Sequence, residues 1–485
     1  MHGDDNIRGV RWRHGPHIWT LSLLIGLGLG ALLAGFVPQR LNESGEPVIP
    51  LWLVAPFVAI LLSIALMPFV SERIWHRHFP DFSFFFGGIT TGYYLRAFGG
   101  PSHGMTFGQY NVVHALVEYY SFVALVCGLF VVSGGILITI RGRGRPALNT
   151  ALLAFGAVLA NFVGTTGASM LLLRPYMRLN EGRLRPLHVV LFIMIVSNCG
   201  GALTPVGDPP LYLGFLKGVP FLYSLSHFWP QWALVVGLLL GVYFVVDTWY
   251  EKRHAAEVPT ADPETLRPHR FGVSIEGGTG LVCLALMIAG VFIDPLLKKY
   301  AKIEGIPAGA TFQLLVAAAA FFLADRRLHE ANQFSFFPVK EVGLLFFGIF
   351  LTMIPALGFL SANGSALGVN NPTAYYFATG ALSAFLDNAP TYLNFLQIAV
   401  APEAVNAASI EALLSEEAGR AKLAAISTAA VFFGAATYIG NGPNFMVRTI
   451  AQTSGIRMPS FFGYLFLAII ILVPILILNW FIFIR

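Results

Sequence analysis

The stretch Ser197–Leu211, SNCGGALTPVGDPPL, interrupts an apolar run that begins near His188 and resumes through Gly214. Proline removes a backbone donor and clashes with the preceding turn, and glycine favours unwound backbone. No helix passes intact through Thr204–Pro210. In hydrocarbon, broken backbone is tolerated only where protein buries it or where it lines a polar cavity. The stretch therefore predicts a discontinuous membrane helix. A second one answers it: Thr437–Asn444 reads TYIGNGPN against TPVGDPPL at Thr204–Leu211. Thr437 matches Thr204, Gly440 matches Gly207, Asn441 matches Asp208 and Pro443 matches Pro210. Paired interruptions in the two halves of a chain point to a transporter binding site near the bilayer midplane.

Composition agrees. The 485 residues are 56% hydrophobic and only 11% charged, with a mean hydropathy of +0.69. Soluble domains carry about 25% charged residues, so this is a polytopic membrane chain. The formal charge of +5 does not indicate nucleic acid, because the basic residues cluster in short loops beside apolar spans, as the positive-inside rule requires. Cys127, Cys199 and Cys283 all lie in apolar runs and suggest no disulfide framework.

Loop charges then orient the spans. Arg8, Arg11 and Arg13 precede span one, about 18–37, and place the N-terminus in the cytoplasm. Gly26 and Gly30 in that span suggest a close helix contact. The loop after it carries Glu43 and Glu46. Spans two (about 50–70), three (about 82–98) and four (about 111–139) follow, with Arg73, His76 and Arg77 between the first two of these. Residues 147–173 are flanked by basic clusters at both ends, Arg141–Arg145 and Arg174–Arg185. Both ends are therefore expected on the cytoplasmic side, and the interruption NFVGTTG at 161–167 turns the segment into a re-entrant hairpin. The broken helix 188–215 runs outward and span six, about 229–248, returns. Residues 251–271 are a cytoplasmic linker. Spans seven (about 273–294), eight (about 310–324) and nine (about 339–360) precede a second hairpin, 373–400, broken at DNAP, 387–390. Acidic residues follow this hairpin, so it opens outward. The broken helix 422–450 and span eleven, about 460–483, complete the chain.

The expected fold is an all-α polytopic membrane protein of about 11 transmembrane helices plus two re-entrant hairpins, an inverted-topology repeat with two discontinuous helices. Residues 1–49 form an N-terminal arm and extra first helix, 50–250 the first repeat, 251–271 the linker and 272–485 the second repeat.

The motifs NFVGTTGAS at 161–169, SNCGGALTPVGDPP at 197–210, DNAPTYLNF at 387–395 and GNGPNFMV at 440–447 resemble those of the ion transporter superfamily. That group includes arsenite effluxers, divalent-anion/sodium symporters, citrate–metal transporters and NhaD-type sodium/proton antiporters. The chain looks most similar to the subgroup labelled citrate transporter or sodium:proton antiporter. The resemblance implies a homodimer in a bacterial inner (plasma) membrane, elevator-like motion, and cation sites where each hairpin tip meets the broken helix of its own half. Carried onto this chain, one site involves Thr165, Thr166, Asn198, Gly201, Thr204 and Asp208. The other involves Asp387, Asn388, Thr391, Thr437, Asn441 and Asn444. The Ser-Asn-Thr tips of dicarboxylate symporters are absent, since the tips here read Gly164-Thr165-Thr166 and Asp387-Asn388-Ala389.

Hydroxyls, amide oxygens and unwound carbonyls are hard ligands, and Asn198, Asp208, Asp387, Asn388 and Asn441 are the Na⁺ candidates. An intramembrane carboxylate is a functional candidate by default. Asp208 before Pro209 and Asp387 before Asn388 also read as helix N-caps. His114 and Glu118, one turn apart, form either a proton relay or a structural pair. The leading expectation is a sodium (lithium)/proton antiporter, with Na⁺ as transported or coupling ion and no cofactor. The rival is sodium- or proton-coupled uptake of citrate or another small carboxylate. His-Glu-x-x-His, Gly-x-Ser-x-Gly and Walker-type loops are missing, which leaves a membrane-embedded enzyme as a distant alternative.

Overall fold

The computed structural model describes residues 17–37, 40–41, 47–102, 104–254, 272–302 and 306–485. Arg8, Arg11, Arg13, Glu43, Glu46 and linker residues 255–271 lie outside them. In chain order the helices are α1 (His17–Phe36), α2 (Ala55–Val70), α3 (Glu72–Ala97), α4 (Phe107–Gly134), α5 (Pro146–Leu179), α6 (Pro186–Ile195), α7 (Pro209–Leu216), α8 (Tyr223–His254) and α9 (Gly278–Gly290). They continue as α10 (Ile293–Leu296), α11 (Ala308–Leu323), α12 (Arg326–Ala331), α13 (Phe337–Asn363), α14 (Pro372–Phe385), α15 (Asn388–Val400), α16 (Ala407–Ser415), α17 (Glu417–Phe433), α18 (Gly442–Thr453) and α19 (Phe461–Phe483). Among the described residues, six helices are long and apolar enough to cross a bilayer, and the apolar segments Leu51–Met67, Pro186–Gly201, Gly278–Gly290 and Ala308–Leu323 are shorter. This is an all-α polytopic membrane protein.

The chain forms two compact units. In the first, Met1–Leu116 with Leu344–Pro355, α1 lies directly on α3. A Cβ at Gly30 would collide with the Ile89 carbonyl, and one at Gly92 with the Leu27 carbonyl. The small residues of α1 are thus what lets the two backbones touch. Trp75, Phe79 and Leu345 form a buried cluster against Ile64 and Met67. Ser83 Oγ donates to the Leu344 carbonyl at 2.5 Å and accepts from Gly348 N at 2.9 Å. The helix α3 begins ten residues earlier than expected. Ser71 caps it by accepting from Ile74 N, so Arg73, His76 and Arg77 belong to the helix rather than to a loop.

The second unit, Val117–Gly343 with Ala356–Arg485, holds both broken helices. Its decisive element is α5. At 1.5 Å per residue, 34 residues would make a straight rod of about 51 Å. Instead the ends meet: Gly144 N donates to the Leu179 carbonyl at 2.9 Å, and Asn149 Nδ2 to Asn180 Oδ1 at 2.7 Å. The reversal is at Gly164, whose φ of 78° and ψ of 156° only glycine adopts without strain. Asp247 of α8 fastens the closed ends, accepting from Asn149 and Arg183 at 2.7 Å each. The pair α14 and α15 reverses at Leu386–Asp387, and Ser361 Oγ reaches the Pro402 carbonyl at 2.7 Å across its open end.

The expected spans four and seven each run too far. Helix α4 stops at Gly134, and Leu137–Arg141 pairs as an antiparallel strand with Gly272–Glu276 ahead of α9. Both segments are rich in β-branched residues, LITIR and VSIE, which suit a pleated strand better than a helix end.

Candidate site at the crossing of two broken helices

Asparagine and threonine side chains hold the breaks open. After α6 the backbone unwinds through Val196–Asp208 before α7 begins at Pro209. Asn161, four residues before the α5 reversal is complete, pins that unwound stretch. Its Nδ2 donates to the Gly200 carbonyl at 2.7 Å, and its Oδ1 accepts from Leu203 N at 2.9 Å. Its carbonyl accepts Thr204 Oγ1 at 2.6 Å. Thr204 Oγ1 in turn accepts from Gly207 N at 3.1 Å, and Thr165 N donates to the Gly207 carbonyl at 2.9 Å. The hairpin tip and the broken helix therefore share backbone hydrogen bonds that neither has alone.

The second half repeats the pattern. After α17 the chain unwinds through Thr437–Asn441 before α18. Thr437 Oγ1 donates to the Ala384 carbonyl at 2.5 Å and accepts from Gly440 N at 3.1 Å. A Cβ at Gly201 would stand 2.7 Å from the Gly207 carbonyl, and one at Gly440 2.6 Å from the Gly434 carbonyl. In both halves glycine is needed for this self-approach.

The two halves meet at Asp208, which is 1% exposed. Its Oδ1 accepts from Thr165 Oγ1 at 2.9 Å and Asn441 Nδ2 at 3.0 Å, and its Oδ2 accepts from Asn388 Nδ2 at 2.7 Å. One carboxylate thus joins the first tip, the second tip and the second broken helix. Alongside, Asn198 Nδ2 donates to Asn444 Oδ1 at 2.6 Å and to the Ile193 carbonyl at 2.9 Å. Asn444 Nδ2 bonds the Gly434 and Thr437 carbonyls at 2.8 Å each. The donors to Asp208 are all neutral. The buried oxygens Asn198 Oδ1 and Asn388 Oδ1 have no hydrogen-bond partner among the described residues. Both residues face Gly434, where a Cβ would lie 3.5 Å from Asn198 Oδ1 and 3.4 Å from Asn388 Nδ2.

The remaining sequence-derived residues take other places. Thr166 lies beside Thr165, Asp208 and Pro209 on a small cavity of about 30 Å³. Gly201 packs against the Thr165 side chain. The hydroxyls of Thr204, Thr437 and Thr391 all donate to backbone carbonyls, that of Thr391 to Asp387 at 2.9 Å. Asp387 is a cap, accepting from Ala389 N at 3.0 Å. Asp208 occupies the cap position of α7 with no capping hydrogen bond from its side chain, so its oxygens serve the crossing instead. Glu118 pairs with Lys217, the residue ending α7, at 2.5 Å. His114 stacks near Tyr110 with ring centroids 5.9 Å apart. Asn161 was not among the site residues read from the sequence, although it opens the quoted NFVGTTGAS motif.

Among the described residues no group of three or more His, Cys, Asp or Glu side chains is placed to hold a metal ion. The crossing offers instead the Asp208 carboxylate, with Asp387 on the adjoining tip, and neutral amide and hydroxyl oxygens, which are hard donors unlike the nitrogen and sulfur ligands of zinc. No curated protein matches the chain. Residues 46–484 match the family described as "Putative citrate transport". That match spans nearly the whole chain, both broken helices and both tips included, and the chain belongs to this family of transport proteins.

Proposed function

We propose that the chain is a cation-coupled secondary transporter, with sodium (lithium)/proton antiport as the leading reading. The observation that carries it is the chemistry around Asp208. A carboxylate almost fully buried among neutral donors is stable only if a cation or proton accompanies it, because an isolated buried charge is costly. The unpartnered oxygens of Asn198 and Asn388 supply further ligands of the type Na⁺ takes. Asp208 with Asn198, Asn388 and Asn441 would hold the ion, and Thr165 would orient the carboxylate. Asp387, on the second tip, is a further cation candidate.

The matched bond pattern at Thr204 and Thr437 supports an inverted repeat of 50–250 and 272–485. The meeting of the α5 ends supports a re-entrant hairpin. The strand pairing of Leu137–Arg141 with Gly272–Glu276 supports a common, cytoplasmic side for the end of α4 and the start of α9. In this reading the N-terminus is cytoplasmic, the protein is a homodimer in a bacterial inner membrane, and the two hairpins move with the broken helices between inward and outward states.

Citrate or dicarboxylate uptake coupled to Na⁺ or protons is the second reading, favoured by the family description. Everted vesicles loaded with a pH-gradient probe test the two. Collapse of the gradient by NaCl or LiCl, but not by KCl or choline chloride, and its loss in Asp208→Asn, is the expected result. No response to any cation would overturn antiport. Sodium-dependent uptake of labelled citrate in proteoliposomes would then establish the second reading.

A further inference from the structure

A cavity of about 430 Å³ opens where the far ends of α5 and α18 come together, well away from Asp208. Its size falls in the range of about 300–1,000 Å³ usual for small-molecule sites. It is lined by Arg174, Met177, Arg178 and Asn180 of α5 and its cap, the turn Glu181–Leu184, Gln333, and Ser454–Ile456 after α18. Arg174 and Arg178, one helical turn apart, are on the same face of α5. A conventional purpose for such arginines is a positive-inside anchor at a helix C-terminus. Their surroundings go further than that.

Arg174 is held in place by neutral acceptors only. Its Nη1 donates to the Asn332 carbonyl at 2.6 Å and its Nη2 to Gln333 Oε1 at 3.1 Å. Two of the five N–H groups of a guanidinium are engaged in these bonds, and among the described residues no carboxylate pairs with the charge. Arg178 makes no ion pair among the described residues, and neither does Glu181, the one acid on the rim. The segment that positions Arg174 is itself unusual. Gln333 adopts φ 45°, a left-handed conformation that residues other than glycine rarely hold. Asn332 anchors it, donating to the Gly134 carbonyl at 3.0 Å and the Ile136 carbonyl at 2.7 Å. Asn332 and Gln333 thus hold one arginine at the wall of a cavity that a second arginine also lines.

We infer that the cavity between the ends of α5 and α18 binds a small multivalent oxyanion, through Arg174 and Arg178 together, with Gln333 as the positioning residue. Planar guanidinium forks match carboxylate and phosphate groups. A free tricarboxylate, inorganic phosphate and the phosphate of an anionic lipid headgroup share that chemistry. The same helices hold Asp208 at their other ends, through Thr165 on α5 and Asn441 preceding α18. Nine residues separate Thr165 from Arg174, about 14 Å along a helix. An occupant would bridge the two helices that close on the crossing. The inference stands whether or not the cation reading of that crossing holds.

The test uses the full-length protein in nanodiscs of neutral phosphatidylcholine, at constant ionic strength. Thermal unfolding is followed with citrate, inorganic phosphate and acetate, and separately with phosphatidylglycerol added to the disc. A saturable rise in Tm with citrate or phosphate, absent with acetate and weakened about tenfold or more in apparent affinity by Arg178→Gln, is the expected result for a free anion. A rise with phosphatidylglycerol alone, lost in Arg178→Gln, assigns the site to a lipid headgroup. Arg178 is exposed, so this variant keeps the fold even if Arg174→Gln does not. Absence of any saturable shift, or shifts of equal size and affinity in Arg178→Gln, would overturn the proposal.

Discussion

The two broken helices carry the same backbone device and different chemistry. In each, a threonine hydroxyl reaches a carbonyl of the hairpin and accepts from the glycine three residues on. In each, paired glycines allow the unwound chain to approach itself. At the next position the halves part. The first has Asp208, an acceptor for three donors, and the second has Asn441, one of those donors. The tips differ as well: Gly164 reverses α5 through a left-handed angle, whereas Asp387 begins α15 as an ordinary cap. The two breaks share one pattern of bonds, and the difference between them makes Asp208 the carboxylate that is hydrogen-bonded at the crossing. A fully symmetric pair would put two carboxylates in contact, and the two could not both remain ionised.

The strongest way to break that comparison is to move the carboxylate. Asp208→Asn is expected to lower cation-dependent transport by about 100-fold or more, since the carboxylate that accepts from Thr165, Asn388 and Asn441 disappears. The exchange Asp208→Asn with Asn441→Asp keeps one acid and one amide in contact. If the frame is symmetric, the exchange recovers at least about tenfold over Asp208→Asn alone. Initial rates in proteoliposomes at equal reconstitution decide it, and an exchange no better than the single variant would show that the halves are not interchangeable.

A second test concerns what only the first half has. Asn161 makes three bonds to the unwound stretch through its side chain and carbonyl. In the second half the residue accepting the threonine is Ala384, with no side chain to add. Asn161→Ala leaves Leu203 N buried without its partner, at a cost of about 1–3 kcal/mol, while the Gly200 carbonyl keeps its bond from Trp232 Nε1 at 2.9 Å. The expected result is a clear fall in Tm in detergent, and an unchanged Tm would mean that the hairpin holds the break through backbone bonds alone.

Much of the frame was legible because glycine and proline cannot hide. The interruptions at 204–210 and 437–443 are visible in composition, and the arginines on both sides of 147–173 announce a chain that turns back. The shared carboxylate was not legible. The family resemblance implies that each tip meets the broken helix of its own half, whereas the bonds from Asn388 and Asn441 to Asp208 cross 180 and 233 residues. Nothing local encodes such a meeting. The strand pair at 137–141 and 272–276 was hidden for a related reason, since an apolar β-branched run beside a span reads as more of the span. Asn161 carried a usable signal, an amide within an apolar helix one turn before the glycine break, and its value is clear only once the Gly200 carbonyl is seen beside it.

The tips offer a third comparison. Gly164 sits at φ 78°, and a Cβ there would stand 3.3 Å from the Val206 carbonyl. Gly164→Ala is expected to cost about 1–2 kcal/mol through the strained angle. Asp387→Ala, which removes one cap bond, should cost about 1 kcal/mol. Thermal unfolding of the two variants side by side ranks the tips, and a larger loss at Asp387 would mean that its carboxylate has a further partner at the crossing.

The last comparison concerns the two equivalent threonines. Thr204→Val and Thr437→Val keep volume and remove one hydroxyl from equivalent places, each bonded to a hairpin carbonyl and to a glycine N–H. A loss of about 1–2 kcal/mol is expected for each. Both hydroxyls donate to a hairpin carbonyl and accept from a glycine N–H, and Thr437 also accepts from Ile439 N at 3.2 Å. The loss at Thr437 should therefore equal or exceed that at Thr204, and the two should add in the double variant, the residues sharing no partner. Urea or thermal unfolding in one detergent measures all three. Equal and additive losses would show that the frame is energetically as well as geometrically repeated. A loss confined to Thr204 would place the weight of the fold on the half that carries the carboxylate, and would make Asn441 an amide donor to Asp208 on a looser second helix.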